Sequence, residues 1–334
     1  MKQPLNIVCS LEISIFIAVS TNKEMRRPIF VFLAILATAH TYAQVGLGTN
    51  SPQASAQLDV SSTSKGFLPP RMTHAQKTAI ASPATGLTLW CTDCGLSGEM
   101  QVYNGSAWTN MVGGTASPAF VCGTSTVTFT YNGVTVTYGT VSRAYGGSTG
   151  TKCWLDRNLG ATQMATSSTD AAAYGDLFQW GRGADGHQII NSASTTTLSS
   201  TDAPGNSTFI KVLSPNTPND WRNPQNNNLW QGVNGINNPC PNGFRLPSSI
   251  ELNAERATWS SNNSAGAFAS PLKLPMTIGR NSNDAGLFGG ESYGYYWSST
   301  VSGTRVQKLY FRSIDANIDN NIRADGMSVR CIKD

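Results

Sequence analysis

Charge is scarce in this 334-residue chain: Asp, Glu, Lys and Arg make up 13% of it, about half the share usual in soluble domains. What charge there is nearly cancels. Residues 1–43 hold four of the 23 basic and two of the 19 acidic side chains, leaving 19 against 17. That balance offers no electrostatic footprint for nucleic acid or an anionic membrane, so neither is expected as a partner. Histidine is nearly missing, with only His74 and His187 beyond position 43. No serine sits in a nucleophile-elbow phrase and no histidine pair stands at metal-ligand spacing. Hydrolase chemistry, a resident metal and a cofactor therefore have no motif to rest on, and the expectation is a protein that is not an enzyme. Long apolar runs are lacking too, since residues 29–39 fall well short of the roughly 20 needed to span a bilayer.

That short run has a different meaning. Arg26-Arg27 precede it and Thr41-Tyr42-Ala43 follow it, which is the anatomy of a secretory signal peptide with cleavage after Ala43. Residues 5–20 form a second, interrupted apolar stretch, broken by Ser10, Glu12 and Ser14. Met25 between the two is the expected start of translation. Export, to the medium or the outer cell surface, follows.

Of the seven cysteines only Cys9 lies in the leader, leaving Cys91, Cys94, Cys122, Cys153, Cys240 and Cys331. An even number in an exported chain reads as disulfides. Spacing alone leaves many pairings open, and the nearest partners, 91 with 94, 122 with 153 and 240 with 331, are the expectation. The phrase Cys91-Thr92-Asp93-Cys94 also suits a redox pair or half of a zinc site. No second such phrase follows, and the strand-to-helix setting of redox pairs is absent, so a structural clip is favoured.

Residues 44–112 read as a small, mainly β module. Thr73 followed by Gln76 is a capping box opening a short helix. Strands are expected around residues 87–90 and 100–103, with Asn104-Gly105 as a hairpin turn. The phrases Val45-Gly46-Leu47-Gly48-Thr49, Leu58-Asp59-Val60, residues 65–72 and Tyr103-Asn104-Gly105-Ser106-Ala107-Trp108 resemble the N-terminal segment of many secreted Bacteroidetes-type surface proteins and are similar to phage tail-fibre heads. The resemblance implies a stalk or attachment role and a homo-oligomer through this module. Residues 113–119 read as a linker.

The remainder, 120–334, opens with apolar alternation on both sides of Asn132-Gly133, a strong hairpin signal. It continues through Cys153-Trp154-Leu155-Asp156-Arg157-Asn158-Leu159-Gly160, residues 174–182, Gly243-Phe244-Arg245-Leu246-Pro247 and Ser328-Val329-Arg330-Cys331. Ser248 and Glu251 form another capping box, opening a helix to about Trp259. These phrases, in this order, resemble the Fibrobacter succinogenes major paralogous domain family, which is in turn similar to C-type-lectin-like folds and formylglycine-generating sulfatase modifiers. The resemblance implies an α+β, C-type-lectin-like domain with short strands, few helices and long loops. The tryptophan-rich phrase that accompanies copper-binding cysteines in the sulfatase modifiers is missing here.

Two places offer ligand-binding chemistry. Lys308, Tyr310 and Arg312 alternate with Leu309 and Phe311, while Asp315, Asn317 and Asp319 alternate with Ile314, Ala316 and Ile318. Two strands with an apolar inner face and a polar outer face follow from that alternation. With Asn321 and Arg323 these residues compose a surface able to stack and hydrogen-bond a glycan or protein ligand. Asp315-x-Asn317-x-Asp319 also begins like a calcium loop, but Asn320 stands where glycine is needed and Gly326 where the bidentate glutamate should be. The second place is Trp221 and Trp230, which flank Asn223, Asn226, Asn227 and Asn228, although packing in a loop-rich core accounts for these rings better. Trp154, Trp180 and Trp297 are assigned to the core outright, and His187 to the turn made by Asp185-Gly186.

The expectation is an exported, non-catalytic binding or adhesion protein recognising glycan or protein. A structural envelope or filament component is the alternative. The segment 296–331 also resembles the variable ends of retroelement-diversified receptors, a more remote alternative.

Overall fold

The structure is a computed structural model that describes residues 44–213 and 219–333. The signal peptide, the Met25 start and the Ala43 cleavage point lie outside the described residues. Two compact units divide at Pro70 and Arg71, and among the described residues no helix is long and apolar enough to cross a membrane.

In the first unit β1 (Val45–Leu47) pairs in parallel with β2 (Leu58–Val60). The glycine-rich phrase has a direct cause here. Gly48 has φ +80°, and a Cβ on it would lie 2.1 Å from the Ser61 carbonyl oxygen, so only glycine fits.

The second unit begins with β3 (Arg71–Met72) and α1 (His74–Thr78). Thr73 caps the helix and Gln76 returns the bond, completing the expected capping box. β4 (Thr88–Cys91), β5 (Glu99–Tyr103) and β6 (Trp108–Asn110) complete a sheet in the order β3-β4-β5-β6. The 113–119 segment lies against this sheet: Ser117 N–H donates to Glu99 Oε2 at 2.7 Å, and Ala119 bridges to Cys94. Residues 71–112 thus form one compact unit with everything that follows.

Beyond it, β7 (Val127–Tyr131) and β8 (Val134–Tyr138) form the expected hairpin, with Asn132 and Gly133 both at positive φ, 49° and 78°. β9 (Thr140–Ala144) and β10 (Thr151–Leu155) share a four-stranded sheet with β14 (Phe244–Arg245) and β21 (Ile332–Lys333). A second four-stranded sheet joins β11 (Phe178–Gln179), β20 (Gly326–Met327), β15 (Gly279–Arg280) and β16 (Leu287–Phe288), and a two-stranded one joins β12 (Ser194–Thr195) and β13 (Phe209–Ile210). The longest strands, β17 (Tyr293–Ser302), β18 (Arg305–Arg312) and β19 (Ala316–Asn321), form an antiparallel sheet in that order. Helices α2 (Ser249–Ala257) and α3 (Ser264–Ala269) complete the unit. Short strands, few helices and long loops dominate, as expected.

All three nearest-partner disulfides are present: Cys91–Cys94, Cys122–Cys153 and Cys240–Cys331. Two large apolar clusters fill the second unit, with a small third one around Leu89, Cys91 and Cys94. One gathers Trp180, Trp221, Trp230, Trp297, Phe244 and Val306, the other Trp154, Tyr296, Leu309, Phe311, Leu252 and Trp259. The indole N–H groups of Trp180, Trp221, Trp230 and Trp297 each donate to a backbone carbonyl at 2.7–2.9 Å.

A loop-rich interior leaves many carbonyls without ladder partners, and each must be satisfied. Buried arginines serve that need, because a guanidinium carries five donors in a rigid fork. Arg182 donates to the carbonyls of Thr208 and Asn206, Arg280 to those of Ser192 and Ala285, and Arg330 to that of Leu272. Some of the chain's few charges are thus consumed inside it.

The Phe244-Arg245-Leu246-Pro247-Ser248 phrase has a similar logic. Phe244 and Leu246 are buried, while Arg245 grips both Glu251 oxygens at 2.9 Å and so fastens α2 to β14. Burial pushes the Glu251 carboxyl up, but the Arg245 fork and Ser248 outweigh it and hold it at about 2, against an ordinary 4.5. A depressed folded-state value contributes stability above pH 4.5 that is lost as the pH falls toward 2, on the order of 3 kcal/mol. Unfolding free energies measured by denaturant across pH 6 to ~2.5 should fall steeply below about 4.5. In Glu251→Gln that acid step should be flattened, on a lower baseline. An undiminished step in the variant would locate the acid sensitivity elsewhere.

Candidate functional site

The β17-β18-β19 sheet has two faces of different fate. Tyr296, Leu309, Phe311 and Ala316 point to α2 and the second cluster, where Phe311 stacks on Tyr296 and meets Trp259 edge-on. Gly294 pairs with Phe311, and a Cβ there would sit 2.3 Å from its ring, so the strand needs glycine at this point. On the opposite face Tyr293 pairs with Arg312, Tyr295 with Tyr310, and Trp297 with Lys308, while Tyr310 also pairs with Asn317 and Lys308 with Asp319. One end of that face, at Trp297 and Val306, enters the first cluster. The other end emerges as a strip of Tyr293, Tyr295, Tyr310, Arg312, Asn317 and Asp319, all partly or fully exposed.

Aromatic rings organise the strip. Tyr293 and Tyr295 are stacked, with centroids 5.5 Å apart and planes 7° from parallel, and Phe288 supports Tyr295 edge-on. Burial pushes the Tyr295 hydroxyl up to about 12, so it stays protonated. Arg312 Nε bonds Asp315 Oδ1 at 2.6 Å, and this guanidinium holds the Asp315 carboxyl below the usual carboxylate range. The Asn317 and Asp319 side-chain oxygens accept from the next backbone N–H, at 2.9 and 2.8 Å. Among the described residues the Tyr310 hydroxyl and the Asn317 amide nitrogen have no hydrogen-bond partner. Ring faces beside free donors and acceptors suit a ligand with both apolar and hydroxyl surface.

Several expected positions differ. Lys308 is 7% exposed, because its end of the face runs under the first cluster. Its ammonium lies 3.8 Å from Asp319 and 3.2 Å from Asn321 Oδ1, and burial lowers its pKa. Asp315 belongs to the β18–β19 turn rather than to a strand, and Ile314, expected inward, is 73% exposed at that turn. The Arg312 pair occupies the Asp315 carboxylate, while Asn317 and Asp319 run along an extended strand, so the three do not converge as a calcium loop. Asn321 is half-buried at the inner end and donates to Asp325 Oδ2 at 2.8 Å.

Arg323 is fully buried, its guanidinium over Trp180 and 3.6 Å from Asp220. Trp221 and Trp230 are fully buried as well and present no ring to solvent. Alternation along one strand cannot reveal which end of a face a neighbouring cluster covers. Tyr293 and Tyr295 were not among the expected site residues, although the alternation of Tyr293-Gly294-Tyr295 with buried Tyr296 carried the signal.

His187 is buried, with Nε2 accepting from Gln179 N–H at 3.0 Å and Nδ1 2.6 Å from Asp185 Oδ1. Burial pushes it down to about 4. It is a neutral brace for the turn, with the proton on Nδ1, and is shut off from solvent.

Set against known families, residues 46–130 match the model of a phage tail like trimerisation region, which fits a tail-fibre-like module at the front of the chain. No curated protein and no solved structure matches the chain.

Proposed function

We propose that this protein is an exported, non-catalytic binding or adhesion protein, with residues 120–334 as a lectin-like domain that takes glycan or protein on the strip from Tyr293 to Asp319. The observation that carries the reading is the strip itself: stacked tyrosines, an unpartnered Tyr310 hydroxyl and a free Asn317 amide on a sheet anchored by two apolar clusters. Rigid aromatic anchors beside adaptable polar groups are common ingredients of recognition surfaces. The signal-peptide phrase supports export, and the disulfides suit an oxidising compartment.

A glycan array and intact cell surfaces probed with the chain from residue 44 onward test this directly. Binding should weaken roughly tenfold or more in Tyr310→Ala/Asn317→Ala, on the scale of a lost anchor residue. The melting temperature should hardly change, since both side chains lie outside the core. Binding that survives this double change places recognition elsewhere, and silence on every surface speaks against the reading.

The trimerisation-region match favours a second reading, a structural envelope or filament component in which the front module assembles and the rest is a cap. Leu58, Val60, Met111, Val112 and Val121 are exposed apolar side chains inside the matched segment. Sedimentation distinguishes the two, since only the structural reading requires a stable oligomer, whereas a monomeric chain that binds supports adhesion alone.

A further inference from the structure

We propose that Cys91, Cys94 and His74, with Asp93 beside them, form a site for one thiophilic divalent ion of the zinc type whenever the Cys91–Cys94 disulfide is reduced. In sequence the cysteine pair lacked further ligands, since no second pair follows it. The fold supplies them from upstream. α1 begins at His74 and lies over the end of β4, so His74 Nδ1 stands 3.7 Å from Cys94 Sγ, and one ligand atom from each of the three residues lies within 4.8 Å of the others.

Asp93 Oδ1 stands 3.4 Å from Cys91 Sγ but outside the close group formed by the other three ligand atoms, so the fourth position falls to water or to a turn of this carboxylate. Bonds of about 2.0–2.3 Å from a tetrahedral zinc ion place neighbouring donors roughly 3.3–3.8 Å apart. The two nonbonded spacings already match that figure before any ion binds.

The donors are also held in place. His74 is fixed by the Thr73 capping box, and its own backbone N–H donates to Asp93 Oδ1 at 2.6 Å. Cys94 is held by its bridge to Ala119. Both sulfurs are wholly buried, among Leu89, Met72, Ile80 and Trp108. Among the described residues Cys94 Sγ is the one hydrogen-bond contact of the His74 ring nitrogens, and the half-buried ring is otherwise open to solvent or an entering ion.

The chemistry balances. A dithiol or phosphine reductant gives two electrons, the S–S bond breaks and each sulfur takes a proton. Binding of the ion then releases both protons as the thiolates coordinate. A small-molecule disulfide takes the two electrons back: its own S–S bond is cleaved to two thiols with protons from solvent, the Cys91–Cys94 bond reforms and the ion is released. The clip thus has two closed forms, one covalent and one metal-linked.

The chain from residue 44 onward, reduced anaerobically with a phosphine and titrated with cobalt(II), tests the site. One ion per chain should bind with the visible absorption of tetrahedral cobalt and a thiolate charge-transfer band, and the oxidised chain should show neither. His74→Ala should weaken binding roughly tenfold or more, and Cys91→Ser/Cys94→Ser should abolish it, with circular dichroism reporting whether that variant is folded. Zinc added to the unaltered reduced chain should shield Cys91 and Cys94 from alkylation, a readout that needs no variant. Octahedral spectra, equal binding by the double serine variant, or undiminished alkylation of both cysteines under zinc would each overturn the proposal.

Discussion

Replacing Cys240 and Cys331 together with serine is expected to lower the unfolding free energy by about 4–5 kcal/mol, the largest effect of any change outside the aromatic core. The two cysteines are 91 residues apart in sequence, and the loop-closure entropy removed from the unfolded chain grows with that separation. Cys331 is fully buried, and its carbonyl accepts from Leu155 N–H at 3.0 Å next to the junction where Ile332 pairs with both Trp154 and Arg245. Loss of the link therefore frees the strand that joins β10 to β14. A typical domain has only about 5–15 kcal/mol in hand. Guanidinium unfolding of the double variant, compared with Cys91→Ser/Cys94→Ser, checks this. The short clip spans three residues and should cost far less, so equal losses would show that loop length is not the cause.

Arg330→Met is expected to destabilise by about 3–5 kcal/mol, the scale for stripping a partner from a buried polar cluster. Its side chain is 1% exposed, yet no carboxylate pairs with it within salt-bridge distance among the described residues. Instead it donates to Asn158 Oδ1 at 2.9 Å and to the Leu272 carbonyl at 2.8 Å, with the Leu155 and Asp156 carbonyls at 3.4 Å. Methionine fills the volume but leaves those acceptors dry and unpaired. Arg330→Lys should recover little, because one ammonium cannot reach acceptors spread around a planar fork. Chemical denaturation with near-UV circular dichroism measures both variants. Stability restored by lysine would mean that the charge, rather than the fork, is what the site needs.

These two sites differ in how far they could be read from sequence. The disulfide was legible, since an even set of cysteines behind a signal-peptide-like segment is expected to pair up, and nearest partners in sequence proved to be bonded. The role of Arg330 was not, because nothing near Val329-Arg330-Cys331 announces that carbonyls from residues 155, 156 and 272 will meet there. The same contrast runs through the candidate surface. Alternation placed Leu309, Phe311 and Ala316 inward correctly. It failed for Lys308 and Ile314, because one is covered by a cluster built from distant segments and the other falls in a turn.

Local rules were thus settled by sequence alone: the Thr73 and Ser248 capping boxes and the Asn132-Gly133 hairpin each depend on neighbours a few residues away. Tertiary structure alone decided which polar residues remain at the surface. Trp221, Trp230 and Arg323 went inside, Tyr293 and Tyr295 joined Tyr310 and Arg312 outside, and His74 came to stand over Cys94. Exposure is a property of what packs above a residue, and in a chain of short strands and long loops that cover comes from segments tens to about a hundred residues away.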